Sequence, residues 1–233
     1  MESADKDALT PLESAGLNGH VEVVRKLLNH GAEVESGDED FWTPLESGVL
    51  NGHVEVVREL LKHGAEVESA DKDVWTPLQL AALNGHVEVV QKLLNHGAEV
   101  ESADKDAWTP LESATSIAHV EVIRDLLKHG AEVESADKDA WTPLESAALY
   151  GHVEVFRELL EYGAEVESAD KDAWKRLERG DLNGHVEVFR ELLKHSAKVE
   201  SADKEAWTPL ELAALNGQEE LARELLKRGA VVE

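Results

Sequence analysis

The chain contains no cysteine, which excludes disulfide bridges, thiolate metal sites and cysteine nucleophiles, and suits a reducing compartment. Long apolar runs are also lacking. Nothing approaches the roughly 18 consecutive apolar residues of a membrane span, and the opening MESADKDALT has neither the basic nor the apolar stretch of a signal peptide. The expectation is a soluble, cytoplasmic protein that contacts no membrane. Positive charge is scarce: Lys and Arg number 23 against 49 Asp and Glu, a formal net charge of −26. Such a field repels nucleic-acid phosphates and anionic lipid and favours a basic partner.

What the chain does have is one stretch, repeated. The segment DKDVWTPLQLAALNGHVEVVQKLLNHGAEVESA, starting at Asp71, recurs with small changes from Asp5, Asp38, Asp104, Asp137, Asp170 and Asp203, at intervals of 33 residues. Self-similarity at that spacing means one supersecondary unit stacked on copies of itself, each burying an apolar face that it cannot bury alone. A single repeat domain over residues 1–233 is expected. Near-identity among copies fits recent duplication and an engineered array equally.

Within a copy, T-P-L-E reads as a helix start, with Thr as N-cap, Pro at the first helical position and Glu three residues after the cap. This capping box stands at Thr10/Glu13, Thr43/Glu46, Thr109/Glu112, Thr142/Glu145 and Thr208/Glu211. A short helix of small residues follows and stops at Asn-Gly. The second helix, H-V-E-V-V-R-x-L-L, puts Val and Leu on one face and charges on the other, and ends at His-Gly. The connection G-A-E-V-E-S-A-D-K-D is turn-rich and carries one large apolar residue, Val34 or its equivalent. The fold class expected is an all-α repeat solenoid of stacked helix-turn-helix units with projecting β-turn or hairpin loops.

The run T-P-L-x-x-A-A, then N-G-H-x-E-V-V, then L-L-x-x-G-A, resembles the ankyrin repeat family over essentially the whole chain, from Asp5 to Glu233. The resemblance implies a curved stack whose turns and first helices line a concave face that grips other proteins. Two departures matter. The family usually has His after T-P-L, where this chain has Glu or Gln79, so a polar link is lost unless the capping box replaces it. The family also favours Gly before the aromatic position of the turn, where Ala8, Phe41, Val74, Ala107, Ala140, Ala173 and Ala206 stand here. Either those turns change shape, or each carries about 1 kcal/mol of left-handed strain. In the last copy Gln218, Glu219, Glu220, Leu221 and Ala222 replace H-V-E-V-V, which reads as a terminal cap.

Six tryptophans, Trp42, Trp75, Trp108, Trp141, Trp174 and Trp207, share one repeat position, and could either fill the groove between copies or form an aromatic binding stripe. The eleven histidines form two columns at opposite ends of the second helices, a layout suited to capping and packing and not to a converging zinc shell. No metal or other cofactor is expected. Ser, His and Asp recur from copy to copy, the last one excepted, so no singular catalytic constellation is expected, and phosphate-cradling glycine loops are absent. A non-enzyme is expected.

Function is carried by the exceptions to the repeat. The candidate partner-binding residues are Phe41, Trp42, Val49, Trp75, Leu80, Trp108, Thr115, Ser116, Ile117, Trp141, Tyr150, Trp174, Lys175, Arg176, Arg179 and Asp181, most of them in turns or first helices. Copy six breaks three local rules: Lys175 and Arg176 replace Thr-Pro, Arg179 and Asp181 charge the short helix, and Ser196 replaces the closing Gly. It is expected to be the least stable internal copy. The leading expectation is a monomeric, non-catalytic module that binds a protein partner, one with a basic surface, on its concave face. The alternatives are an acidic mimic that sequesters a basic protein by charge alone and a structural spacer.

Overall fold

A computed structural model of the chain describes residues 9–36, 42–71, 73–166, 183–195, 208–215 and 217–232. Among the described residues, each first helix begins where the sequence predicts. Thr43 shows the reason: its backbone N–H donates to Glu46 Oε2 at 2.6 Å while its hydroxyl accepts from the Glu46 N–H at 3.3 Å. Two of the donors orphaned at a helix start are thereby satisfied, and Pro44 supplies none. The same reciprocal box starts the helices at Thr10, Thr76, Thr109 and Thr142, with Gln79 in the acidic residue's place at Thr76.

The chain falls into two compact units, Met1–Glu132 and Val133–Glu233. The first holds four helix pairs: α1 (Pro11–Leu17) with α2 (Val21–Asn29), α3 (Pro44–Leu50) with α4 (Val54–Lys62), α5 (Pro77–Leu83) with α6 (Val87–Asn95), and α7 (Pro110–Ser116) with α8 (Val120–Lys128). Each first helix packs on its own second helix and on the next first helix, and second helices pack on one another in the same order. Leu12, Leu45, Leu78 and Leu111 are buried at one repeat position, and Val24, Val57, Val90 and Ile123 at another. Each fully buried side chain of this size contributes about 1.5–3 kcal/mol, so cohesion accumulates copy by copy.

The second unit contains α9 (Pro143–Tyr150), α10 (Val153–Glu161), α11 (Asn183–Lys194), α12 (Pro209–Leu215) and α13 (Glu219–Lys227). Here Phe156 and Phe189 take the Val position and are buried, together with Leu144, Leu159 and Leu192. Glu219 is exposed on α13 while Leu221 beside it is buried, the pattern of a helix with one wet side. Among the described residues there is no strand, and the class is the expected all-α stack of helix-turn-helix repeats.

Polar links add to the apolar packing between neighbouring pairs. The N–H of Glu66 donates to the Glu35 carboxylate at 2.9 Å, and the same link joins Glu99 to Glu68, Glu132 to Glu101 and Glu165 to Glu134. Three of the histidines that precede second helices reach back one copy. His53, His86 and His119 place Nε2 at 3.0–3.1 Å from the carbonyls of Leu17, Leu50 and Leu83. That approach explains a conserved spacing within the chain: a Cβ on Gly85 would lie 2.6 Å from the His119 ring.

Candidate functional site

In three described turns the leading aspartate builds the approach to the first helix. Asp71 Oδ1 accepts the N–H groups of Asp73 at 2.8 Å and Trp75 at 3.0 Å, and the backbone closes through Val74 N–H to Asp71 O and Asp71 N–H to Trp75 O. Asp104 and Asp137 repeat the arrangement toward Trp108 and Trp141. The leading aspartate is therefore internal to the turn, and the second one, Asp73, Asp106 or Asp139, is the exposed charge. Lys105 Nζ lies 3.2 Å from Asp73. Of the two shapes open to the turn, the left-handed one is found: φ is +68° at Val74, +60° at Ala107 and +61° at Ala140.

The first helices of internal copies are almost wholly covered. In α3 and α5 every residue but the last is buried, because small side chains let the next pair approach closely. Three candidate residues are corrected by this. Val49, Leu80 and Thr115 are buried, Val49 and Thr115 completely, and they fill space between helices instead of meeting a partner. What a first helix offers to solvent lies at its C-terminal end, where Asn18, Asn51 and Asn84 are exposed. Two copies depart there. Ile117 is 53% exposed and Tyr150 is 49% exposed, both at the Asn position, and the Tyr150 ring stacks against His152 with centroids 5.7 Å apart.

Trp42, Trp75, Trp108 and Trp141 are half-buried, so each ring both packs and shows an edge. Ser116 is half-buried, its hydroxyl donating to the Ser113 carbonyl at 2.9 Å. Phe41, Trp174, Lys175, Arg176, Arg179 and Asp181 lie outside the described residues, as does Ser196, and with them the expected weakness of copy six.

Histidines at second-helix ends are caps: the Nδ1 atoms of His30, His63, His96 and His129 lie 2.7–2.8 Å from a carbonyl one turn back. Among the described residues no group of three or more His, Asp or Glu is arranged to hold a metal ion. The outer faces of second helices carry ion pairs. Glu59 is buried: burial pushes its carboxyl up, but the Arg25 hydrogen bond, with Lys62 and His63, more than offsets this and leaves it below the ordinary value. Lys194 and Arg157, at 2.9 and 2.8 Å, do the same for Glu191, which is also buried.

One feature of the first helices was not legible as such: the N3 carboxylates of α1, α3 and α7 are buried, whereas Glu145 is half-buried and Glu211 exposed. Glu13 and Glu46 are completely covered, with Oε2 in the capping box and Oε1 buried without a donor. Burial pushes the Glu46 carboxyl up to about 7, against the opposing hydrogen bonds from Thr43. The single Gln among these positions was the available signal.

The family model for ankyrin repeats in three copies matches residues 1–71, 67–137, 103–170 and 182–233. The chain belongs to the ankyrin repeat family. Among solved structures it is similar to the crystal structure of the human ASB11 ankyrin repeat domain, at 25% identity and a TM-score of 0.82, covering 97% of this chain and 100% of that one. In all, 590 solved chains match, so likeness of fold selects no particular partner. No curated protein sequence matches. Ankyrin repeats are in general protein–protein interaction modules, and the fold is typically a non-catalytic scaffold. Among the described residues no helix is long and apolar enough to cross a membrane.

Proposed function

We propose that this ankyrin array holds a protein partner on its concave side, through the turn tips and the C-terminal ends of the first helices, and has no catalytic role. The observation that carries the reading is the exposure of Ile117 and Tyr150 where other copies present Asn. Large apolar side chains on an otherwise polar edge are the usual form of an interface anchor. The half-buried tryptophans of the turns supply further rigid area, and Asp73, Asp106 and Asp139 supply exposed negative charge. With a net charge of −26, association with a basic protein is accelerated and nucleic acid is repelled. A cytoplasmic, monomeric protein fits this role.

Photo-crosslinking tests the reading. A photoreactive residue at position 117 or 150 should capture a partner, and one at the outward Glu55 or Glu88 should not. Against the captured partner, Ile117→Asn or Tyr150→Asn should weaken binding by at least about 1 kcal/mol, roughly fivefold. Equal capture from both surfaces would refute the assignment. Affinity that collapses as salt rises, with both Asn variants unaffected, would favour sequestration by charge alone.

A further inference from the structure

The neutral Gln79 shows what its position does for the stack. Its Oε1 accepts the Thr76 N–H at 2.9 Å, and its Nε2 donates to the Trp108 carbonyl of the next copy at 2.6 Å. That carbonyl also accepts from Asp104 N–H at 3.1 Å, so both its lone pairs are used. One side chain thus caps its own helix and ties it to the following turn.

One copy earlier the same place is taken by Glu46. Its Oε2 fills the capping role of Gln79 Oε1, accepting from the Thr43 N–H and, at 3.0 Å, from the Thr43 hydroxyl. The remaining oxygen, Oε1, corresponds to Gln79 Nε2, is buried and has no donor. The carbonyl to which it corresponds, that of Trp75, is engaged by Asp71 N–H at 3.2 Å, which leaves one lone pair. A carboxylate oxygen and a carbonyl oxygen repel, whereas a carboxyl O–H reproduces the amide's donation. We infer that Glu46 works in its protonated form, donating through Oε1 to the Trp75 carbonyl, so that the link between copies two and three is made by a proton and is lost on ionisation.

The surroundings agree. The charged groups acting on Glu46 are the carboxylates of Glu35 and Asp71, both of which disfavour ionisation. Of the helices packed on α3, α1 presents Glu13 at the equivalent position and α5 presents the neutral Gln79. The ionisable chains of α4 are occupied in pairs of their own, Glu55 with Arg58 and Glu59 with Arg25 and Lys62. Among the described residues no cation acts on Glu46 to hold the charge.

The sign follows from the raised value. Stability contributed by Glu46 is complete below its ordinary value of 4.5, declines as pH rises, and is gone once pH passes about 7. The decisive experiment compares the full-length protein with Glu46→Gln by urea unfolding from pH 5 to pH 8. The Gln variant keeps the link at every pH, and because the other groups cancel in the comparison, the wild-type folding constant should fall relative to it by on the order of 100-fold across that range. Gln79→Glu should import a second loss of the same sign. Parallel curves for wild type and Glu46→Gln would overturn the inference. Should Glu46→Gln fail to fold, carbon NMR of the glutamate carboxyls in the wild type decides alone: one signal titrating near 7 supports it, and all signals titrating in the ordinary range overturn it.

Discussion

Ala140 is held at φ +61° by a turn that leaves it no alternative, since Asp137 accepts from the N–H groups of Asp139, Ala140 and Trp141. For an L-residue the left-handed region costs about 1–2 kcal/mol. Glycine escapes that cost but loses about 0.5–1 kcal/mol more backbone freedom on folding. Ala140 is exposed, so removing its methyl forfeits little burial, and Ala140→Gly should stabilise the protein by about 0.5–1 kcal/mol. Ala136, four residues earlier in the same loop, is also exposed but is not in the left-handed region. Ala136→Gly pays the entropy with nothing in return and should destabilise by about 0.5–1 kcal/mol. Urea midpoints at constant m-value measure both. Opposite signs are the expected outcome, and equal destabilisation by the two variants would show that the turn imposes no left-handed residue at 140. Val74→Gly has a smaller net benefit than its β-branching suggests, because its partly covered side chain is lost as well.

Phe156 is completely buried at a position that is Val or Ile throughout the first unit, so Phe156→Ala should cost about 3–5 kcal/mol in urea unfolding, among the largest losses of any single truncation in the second unit. The pairing of Arg25 with Glu59 predicts a pH effect of opposite sign to that of Glu46: a lowered carboxyl contributes stability above its ordinary value, lost as pH falls through its folded value. Arg25→Gln should therefore lower the midpoint at neutral pH and flatten the decline between about pH 6 and pH 3; an unchanged acid limb would mean that Lys62 and His63 suffice.

The helix boundaries were legible because each is written in local chemistry. Thr-Pro-Leu-Glu specifies a start through groups within three residues, and His-Gly specifies a stop through a side chain and a left-handed backbone at adjacent positions. Burial of the first helix was legible only in part. Its small residues announce a close neighbour, but Glu at the N3 position reads as solvent-facing, since a carboxylate is seldom covered without a cation. Glu46 lies on α3, which packs against the first helices of the copies on either side, and those contacts span about a whole repeat, beyond the reach of any local rule. The same limit misplaced Val49, Leu80 and Thr115. They vary among copies as surface residues do, yet they are enclosed, so their variation adjusts packing between neighbours.

Variation at the C-terminal end of the first helix has a different meaning, because stability alone does not reward it. Asn18, Asn51 and Asn84 turn their side-chain amides back to carbonyls one turn earlier, at 2.8, 3.2 and 2.8 Å. Ile117 and Tyr150 cannot make that bond, worth about 0.5–1.5 kcal/mol net, and they place apolar surface in water instead. Copy four compounds the loss, since Ala118 stands where a glycine follows in other copies and is held at φ +64°. Two local rules are thus broken side by side at an exposed edge. A sequence that keeps its caps, turns and core positions in most copies yields stability at these places, and local inconsistency of this kind is expected at functional sites. The buried first helix and the exposed helix end therefore divide the labour: the former carries cohesion between copies, and the latter is free to differ from copy to copy without disturbing it.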